Sequence, residues 1–149
     1  MDARGARIEV RWSHGYDAEA VLRDLVTGLT GADPGPVHHR CPSCGSVQHG
    51  RPYLDAAVAI SISRAGGLTV VAVADQPVGV DVVVGTDTAW ARTESLAKAH
   101  GTGIVTEHDH GATGTWVCDL ALPPGFAGAV ATLSGAREVR ATAWTPASR

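Results

Sequence analysis

The stretch from Val58 to Val83, AVAISISRAGGLTVVAVADQPVGVDVV when written from Ala57, leaves a chain the least freedom. Two apolar, β-branched runs flank Arg64-Ala65-Gly66-Gly67, and a third follows Asp75-Gln76-Pro77. Each run has strand length, which predicts three successive strands. Gly66-Gly67 supplies the backbone freedom of a tight turn, and Pro77 ends the second run. Strands this apolar are buried on both faces, so Ser61, Ser63, Arg64 and Asp81 are the exceptions. Asp81 is the sharpest, because Val80, Val82, Val83 and Val84 surround it. A buried carboxylate costs several kcal/mol unless it meets a cation, a metal or hydrogen-bond donors. The alternative is a strand-end Asp that reaches solvent or a backbone amide.

Composition narrows the class. A chain of 149 residues is long enough for one domain with a hydrophobic core. At 44% hydrophobic and 18% charged it reads as globular rather than disordered. A formal net charge of −3 gives no electrostatic case for nucleic acid, and no basic block points to a membrane surface. No apolar run reaches transmembrane length, and the first ten residues lack a secretory apolar core. Three cysteines, two of them in a Cys-x-x-Cys pair, argue against a disulfide framework. The expected compartment is the cytoplasm.

Along the chain, Ile8, Val10 and Trp12 alternate with Arg7, Glu9 and Arg11 as a strand with one dry face. Asp17 reads as an N-cap, and Val21, Leu22, Leu25, Val26 and Leu29 follow helical spacing up to Gly31. Asp33-Pro34-Gly35-Pro36 is a turn. A second helix is expected from about Ala89 to His100, capped by Asp87 or Thr88. Its stripe would be Trp90, Thr93, Leu96, Ala97 and His100, with Gly101 and Gly103 as the stop. Glu94 and Lys98 sit four apart on it; by spacing alone they are a surface ion pair worth a few tenths of a kcal/mol. Glu107-His108-Asp109-His110 reads as a solvated loop. Three strands close the chain, around Trp116 to Ala121, Phe126 to Leu133 and Glu138 to Trp144. Cys118 reads as a small core residue.

Between the first helix and the central strands lies Val37 to His49. Cys41 and Cys44 are spaced as in a zinc knuckle, and His49 with either His38 or His39 would complete a tetrahedron. Four protein ligands would make such a site structural. The competing reading is a tight turn with two free thiols.

Three motifs in order carry a resemblance. Ser63-Arg64-Ala65-Gly66 precedes a strand and then Gly79-Val80-Asp81. Downstream stands Trp90-Ala-Arg-Thr-Glu94-Ser-Leu-Ala-Lys98-Ala-His-Gly101-Thr-Gly103. Upstream stands Gly50-Arg51-Pro52. Together they resemble the 4'-phosphopantetheinyl transferases of the surfactin-synthetase-activating type, in an actinobacterial-like, shortened form. The resemblance implies an α+β fold over residues 1–149. Antiparallel strands would pack with two main helices in an abbreviated pseudo-twofold arrangement, with residues 38–49 as a zinc knuckle inside it. It also implies natural-product biosynthesis, with phosphopantetheine moved from coenzyme A to a serine of an acyl or peptidyl carrier protein.

Carried over residue by residue, the resemblance makes Asp81 and Glu94 ligands of Mg²⁺. Glu94 would also be the base, and Lys98 a phosphate contact. Arg51, Ser63 and Arg64 would hold coenzyme A. A guanidinium at Arg64, where the family has histidine, serves a phosphate at least as well. The departures are as informative. Val83 stands where the family places a second carboxylate on the strand, and Thr93 replaces a lysine. Only six residues separate Val83 from Trp90, where the family inserts a helical segment that receives the carrier. Two function classes follow. One is an active transferase. The other is a repurposed fold, either a non-transferring carrier- or coenzyme-A-binding module or a tailoring enzyme such as a cyclase. A purely structural zinc-knuckle protein is a third.

Overall fold

Alternation along the strands stacks this molecule in layers. The computed structural model describes residues 7–15, 17–41, 43–48, 50–101, 115–133, 135 and 138–146. In chain order they form β1 (Arg7–His14), α1 (Ala18–Thr30), β2 (His38–Arg40), β3 (Arg51–Tyr53), β4 (Ala59–Ala65), β5 (Leu68–Ala74) and β6 (Val78–Val84). There follow α2 (Thr88–His100), β7 (Trp116–Asp119), β8 (Phe126–Thr132) and β9 (Glu138–Ala143). The architecture is mixed α+β. One sheet has the order β4-β5-β1-β9, a second β6-β8-β7, and β2 pairs with β3 alone. All pairings are antiparallel except β1 with β9.

The central hairpin forms as its sequence predicts. Gly66 and Gly67 both take positive φ, 54° and 80°, so Ala65 can pair with Leu68. Every residue of β5 is buried. Leu68, Val70, Ala72 and Ala74 face the second sheet, where they meet Val78, Val80, Val82 and Val130. Val71 and Val73 face the other way, onto Val21, Leu22, Leu25 and Val26 of α1. The order through the molecule is therefore α1, four-stranded sheet, three-stranded sheet, α2.

Both helices are capped as expected. The Asp17 carboxylate accepts from Glu19 N at 3.0 Å, and Gly31 N donates to Thr27 O. The Asp87 carboxylate accepts from Trp90 N at 3.0 Å, and Gly101 closes the far end. The buried face of α2 keeps Leu96 and Ala97 of the expected stripe and departs from it elsewhere. Trp90 is 45% exposed and Thr93 is exposed, whereas Ala91, Glu94, Ser95 and Ala99 are buried. The cause is Gly79 on β6. A Cβ there would overlap Ser95 O and lie 2.5 Å from Ala99 N, so the helix backbone rests directly on the strand. Only small residues fit that contact, and it turns the bulkier side chains outward. The β2–β3 pair, which carries no apolar alternation, brackets the Cys41–Cys44 turn.

Candidate functional site

The cleft at the α2 side of β6 collects most of the polar exceptions. Odd-numbered positions of β6 face α2, which carries Asp81 away from the inter-sheet core and into a cavity of about 470 Å³. Ser63, Arg64, Glu94 and Lys98 line the same cavity. Asp81 is 7% exposed and lies inside β6, so it does not reach solvent at a strand end, although the backbone N–H of Val82 does act on its carboxyl. Its Oδ1 accepts from Ser63 Oγ at 3.3 Å and from Lys98 Nζ at 3.4 Å. Its Oδ2 is buried with no hydrogen-bond partner among the described residues. Burial pushes this carboxyl up from its ordinary range, against the pull of Lys98, Ser63 and the Val82 N–H.

Glu94 enters from the second turn of α2. It is buried, and its Oε1 also lacks a partner. Burial raises its pKa, the negative Asp81 raises it further, and Lys98 opposes both. The spacing-based surface pair is thus replaced. Lys98 points at the strands, with Nζ 3.0 Å from Val80 O and 3.2 Å from Ile62 O. Two carboxylates with free, buried oxygens beside a single ammonium make an electronegative pocket suited to a further cation. The third position of the family pattern, Val83, lines the pocket without a donor atom.

Arg64 is exposed at the mouth. It also borders a neighbouring cavity of about 280 Å³ that Asp17, Glu19, His39, Gly50 and Pro52 line. Arg51 lies apart from this group. It lines a different cavity, about 530 Å³, with Arg40, Tyr53 and His100, and its guanidinium passes over Gly101 to within 3.5 Å of Ala99 O. The C-terminal end of α2, rich in unpaired carbonyls, holds that guanidinium.

The cysteine turn has knuckle character at its first thiol. Cys41 N donates to Ser46 O at 2.9 Å, and Gly45 N donates to Cys41 O at 2.8 Å. Backbone N–H groups of Cys44 and Ser43 reach the Cys41 sulfur and hold its pKa below the ordinary thiol value. His38 is turned to Asp55, with Nε2 2.8 Å from Oδ2, and His39 faces the 280 Å³ cavity. No three His, Cys, Asp or Glu side chains gather as metal ligands among the described residues. His49 and the His108 to His110 loop lie outside those residues. Cys118 packs half-buried on the inter-sheet core, and burial followed by the Asp119 charge pushes its thiol up.

One contact lies beyond those the motifs imply. Ser61 was an apparent polar exception without a role; its Oγ accepts from Val80 N at 3.0 Å. The signal was present in the Ser61-x-Ser63 spacing, which puts both hydroxyls on one face of β4. No protein-family model matches the chain, and no curated protein matches it significantly.

Proposed function

We propose that the chain is a 4'-phosphopantetheinyl transferase-like protein whose cleft binds the diphosphate of coenzyme A over a divalent ion. The observation that carries this reading is that Asp81 and Glu94, each with a buried oxygen that lacks a partner among the described residues (Oδ2 and Oε1), line one cavity together with Ser63 and Arg64. Asp81 and Glu94 would hold Mg²⁺, which prefers carboxylate and phosphate oxygens and keeps several waters. Bound there, the ion would neutralise charge on the diphosphate. Arg64 contributes a fixed charge for a phosphate at the cleft mouth. Glu94, with its raised pKa, is suited to take the proton of an acceptor serine. In the transfer, the serine oxygen bonds to the pantetheine-side phosphorus as the oxygen of the nucleotide phosphate leaves.

A second reading has its own observation in its favour. Only Gly85, Thr86 and Asp87 lie between β6 and α2, too few for a carrier-docking helix. That favours a pocket retained for a carrier-tethered or coenzyme-A-linked ligand without transfer, or a tailoring activity such as cyclisation on it. Intact-mass measurement of an apo carrier protein incubated with coenzyme A, Mg²⁺ and this protein separates the two. A gain of the phosphopantetheine mass supports transfer. Calorimetric binding of coenzyme A without that gain supports the retained pocket, and the absence of both removes coenzyme A from either reading.

The Cys41–Cys44 turn is a separate proposal. Its described residues supply two cysteine side chains, half of a tetrahedral structural zinc site, with His49 and His39 the further candidates from the sequence. Protein purified without added metal should carry about one equivalent of zinc, and chelation should lower Tm. Metal-free protein with unchanged Tm favours the free-thiol turn.

A further inference from the structure

We propose that Lys98 is a positioning residue, a half-buried cation that ties the edge strands β4 and β6 of the two packed sheets together and aims Asp81 into the cleft, rather than a group that meets the ligand. This rests on the cleft being the carboxylate–cation site described above. The problem that Lys98 solves is one of edges. β4 ends one sheet and β6 ends the other, and the two lie side by side with no backbone ladder between them. Their facing N–H and C=O groups are out of water and need partners.

Side chains supply those partners. Ser61 Oγ accepts from Val80 N at 3.0 Å and Ser63 Oγ from Val82 N at 3.1 Å. On the acceptor side, Lys98 Nζ reaches Ile62 O on one sheet and Val80 O on the other. Its third contact is Asp81 Oδ1. An ammonium has three N–H donors, and these three acceptors use all of them. A phosphate could engage Lys98 only by opening the seam. Ser63 donates its own proton to the same Oδ1. The seam therefore fixes one oxygen of Asp81 and leaves the other, Oδ2, without a partner among the described residues.

This role and a simple charge effect predict opposite signs. Removing a positive charge beside a cation site should tighten cation binding if Lys98 is only a nearby charge. If it positions Asp81, the carboxylate is released and cation binding weakens. The test uses Mn²⁺ alone as probe, with coenzyme A alone titrated separately, on the full chain. Lys98→Met should weaken Mn²⁺ at least tenfold, leave metal-free coenzyme A affinity within about twofold, and speed amide exchange at Val80 and Val82. Ser61→Ala changes no charge and lies outside the cleft lining; it should weaken Mn²⁺ about threefold with the same exchange signature.

Unchanged or tighter Mn²⁺ binding in Lys98→Met overturns the proposal, as does a tenfold loss of metal-free coenzyme A affinity. Should that variant not fold, Ser61→Ala decides alone, and unchanged Mn²⁺ affinity there is the overturning result. If the wild type binds no Mn²⁺, the metal reading fails by itself. The positioning role is then read from a crystal structure of Lys98→Met, or of Ser61→Ala where the first does not fold, in which the Asp81 carboxylate must leave its wild-type orientation; an unmoved carboxylate overturns it.

Discussion

The two helices cover the two sheets by different physics. α1 keeps its distance with branched side chains, burying Val21, Leu22, Leu25 and Val26 against Ile60, Leu54, Val71 and Val73. α2 lies against strand backbone. Its buried set is Ala91, Ser95, Leu96, Ala97 and Ala99, with Glu94 among them. The first arrangement maximises apolar area, the main favourable term in folding. The second gives up area to bring a carboxylate and an ammonium within reach of β6. A site built this way stays rigid because helix and strand cannot slide over a glycine contact of that closeness. One half of the molecule stabilises and the other half positions.

The largest expected effect breaks the positioning half. Gly79→Val places atoms where Ser95 O and Ala99 N already stand, and both are backbone atoms with no rotamer to change. We expect loss of cooperative folding, or destabilisation beyond about 4 kcal/mol by chemical denaturation. Near-wild-type stability would mean that α2 can lift off β6, and the contrast between the helices would fall with it. Leu22→Ala is the matched lesion on the other side. Leu22 is fully buried, and its truncation should cost about 2–4 kcal/mol with no change in Mn²⁺ affinity. A Mn²⁺ effect there would show that the halves are coupled.

The same contrast explains what the sequence disclosed. The α1 half was legible because its signals are periodic and apolar: strand alternation, the Val21–Leu22–Leu25–Val26 stripe, the Asp17 and Gly31 caps, and the Gly66-Gly67 turn. The face of α2 was not, because alanine, serine and glycine contacts carry no hydrophobic pattern. Reading Trp90 and Thr93 inward follows from weighting bulk over closeness. The three-residue strands β2 and β3 are too short to show a period at all. In the cleft, Asp81, Glu94, Ser63 and Arg64 line one cavity, a grouping that the resemblance implied and that spacing alone did not. The separate course of Arg51 and the seam made by Ser61 and Lys98 depend on which edges meet, and no local pattern encodes that.

The pH dependence of stability should also divide the halves. Asp81 and Glu94 have folded-state pKa values above their ordinary ones, chiefly through burial. Between the ordinary and the raised values, the folded state holds more protons than the unfolded chain, so stability falls as pH rises through that interval. Glu94→Gln removes one of these groups. It should flatten the decline, raise Tm near neutral pH and abolish Mn²⁺ binding. A lower Tm at neutral pH in Glu94→Gln would mean that the glutamate is satisfied in the fold, contrary to its unpartnered Oε1.

The smallest expected effect compares two surface ion pairs, one on each helix. Arg92 on α2 makes a bidentate contact with Asp119 on β7, at 2.7 and 2.6 Å. Arg23 on α1 makes one with Asp33 in the turn beyond the helix, at 3.2 and 2.8 Å. Both lie in water, where Coulomb attraction is weak and the ordering of two side chains offsets most of it. Each arginine holds its partner carboxylate below the ordinary range, so any stability gained is present above that range and lost as acid protonates the Asp. Arg23→Ala should shift Tm by no more than the scatter between melting curves, because it ties a helix only to its own following turn. Arg92→Ala crosses from helix to sheet in the half with less apolar burial, so its shift should be the larger of the two, though still small. High salt should erase the difference, since exposed charges are screened. Equal shifts that persist in 1 M salt would mean that Arg92 packs through its stem rather than its charge, and that the α2 side gains apolar contact where only charge was credited.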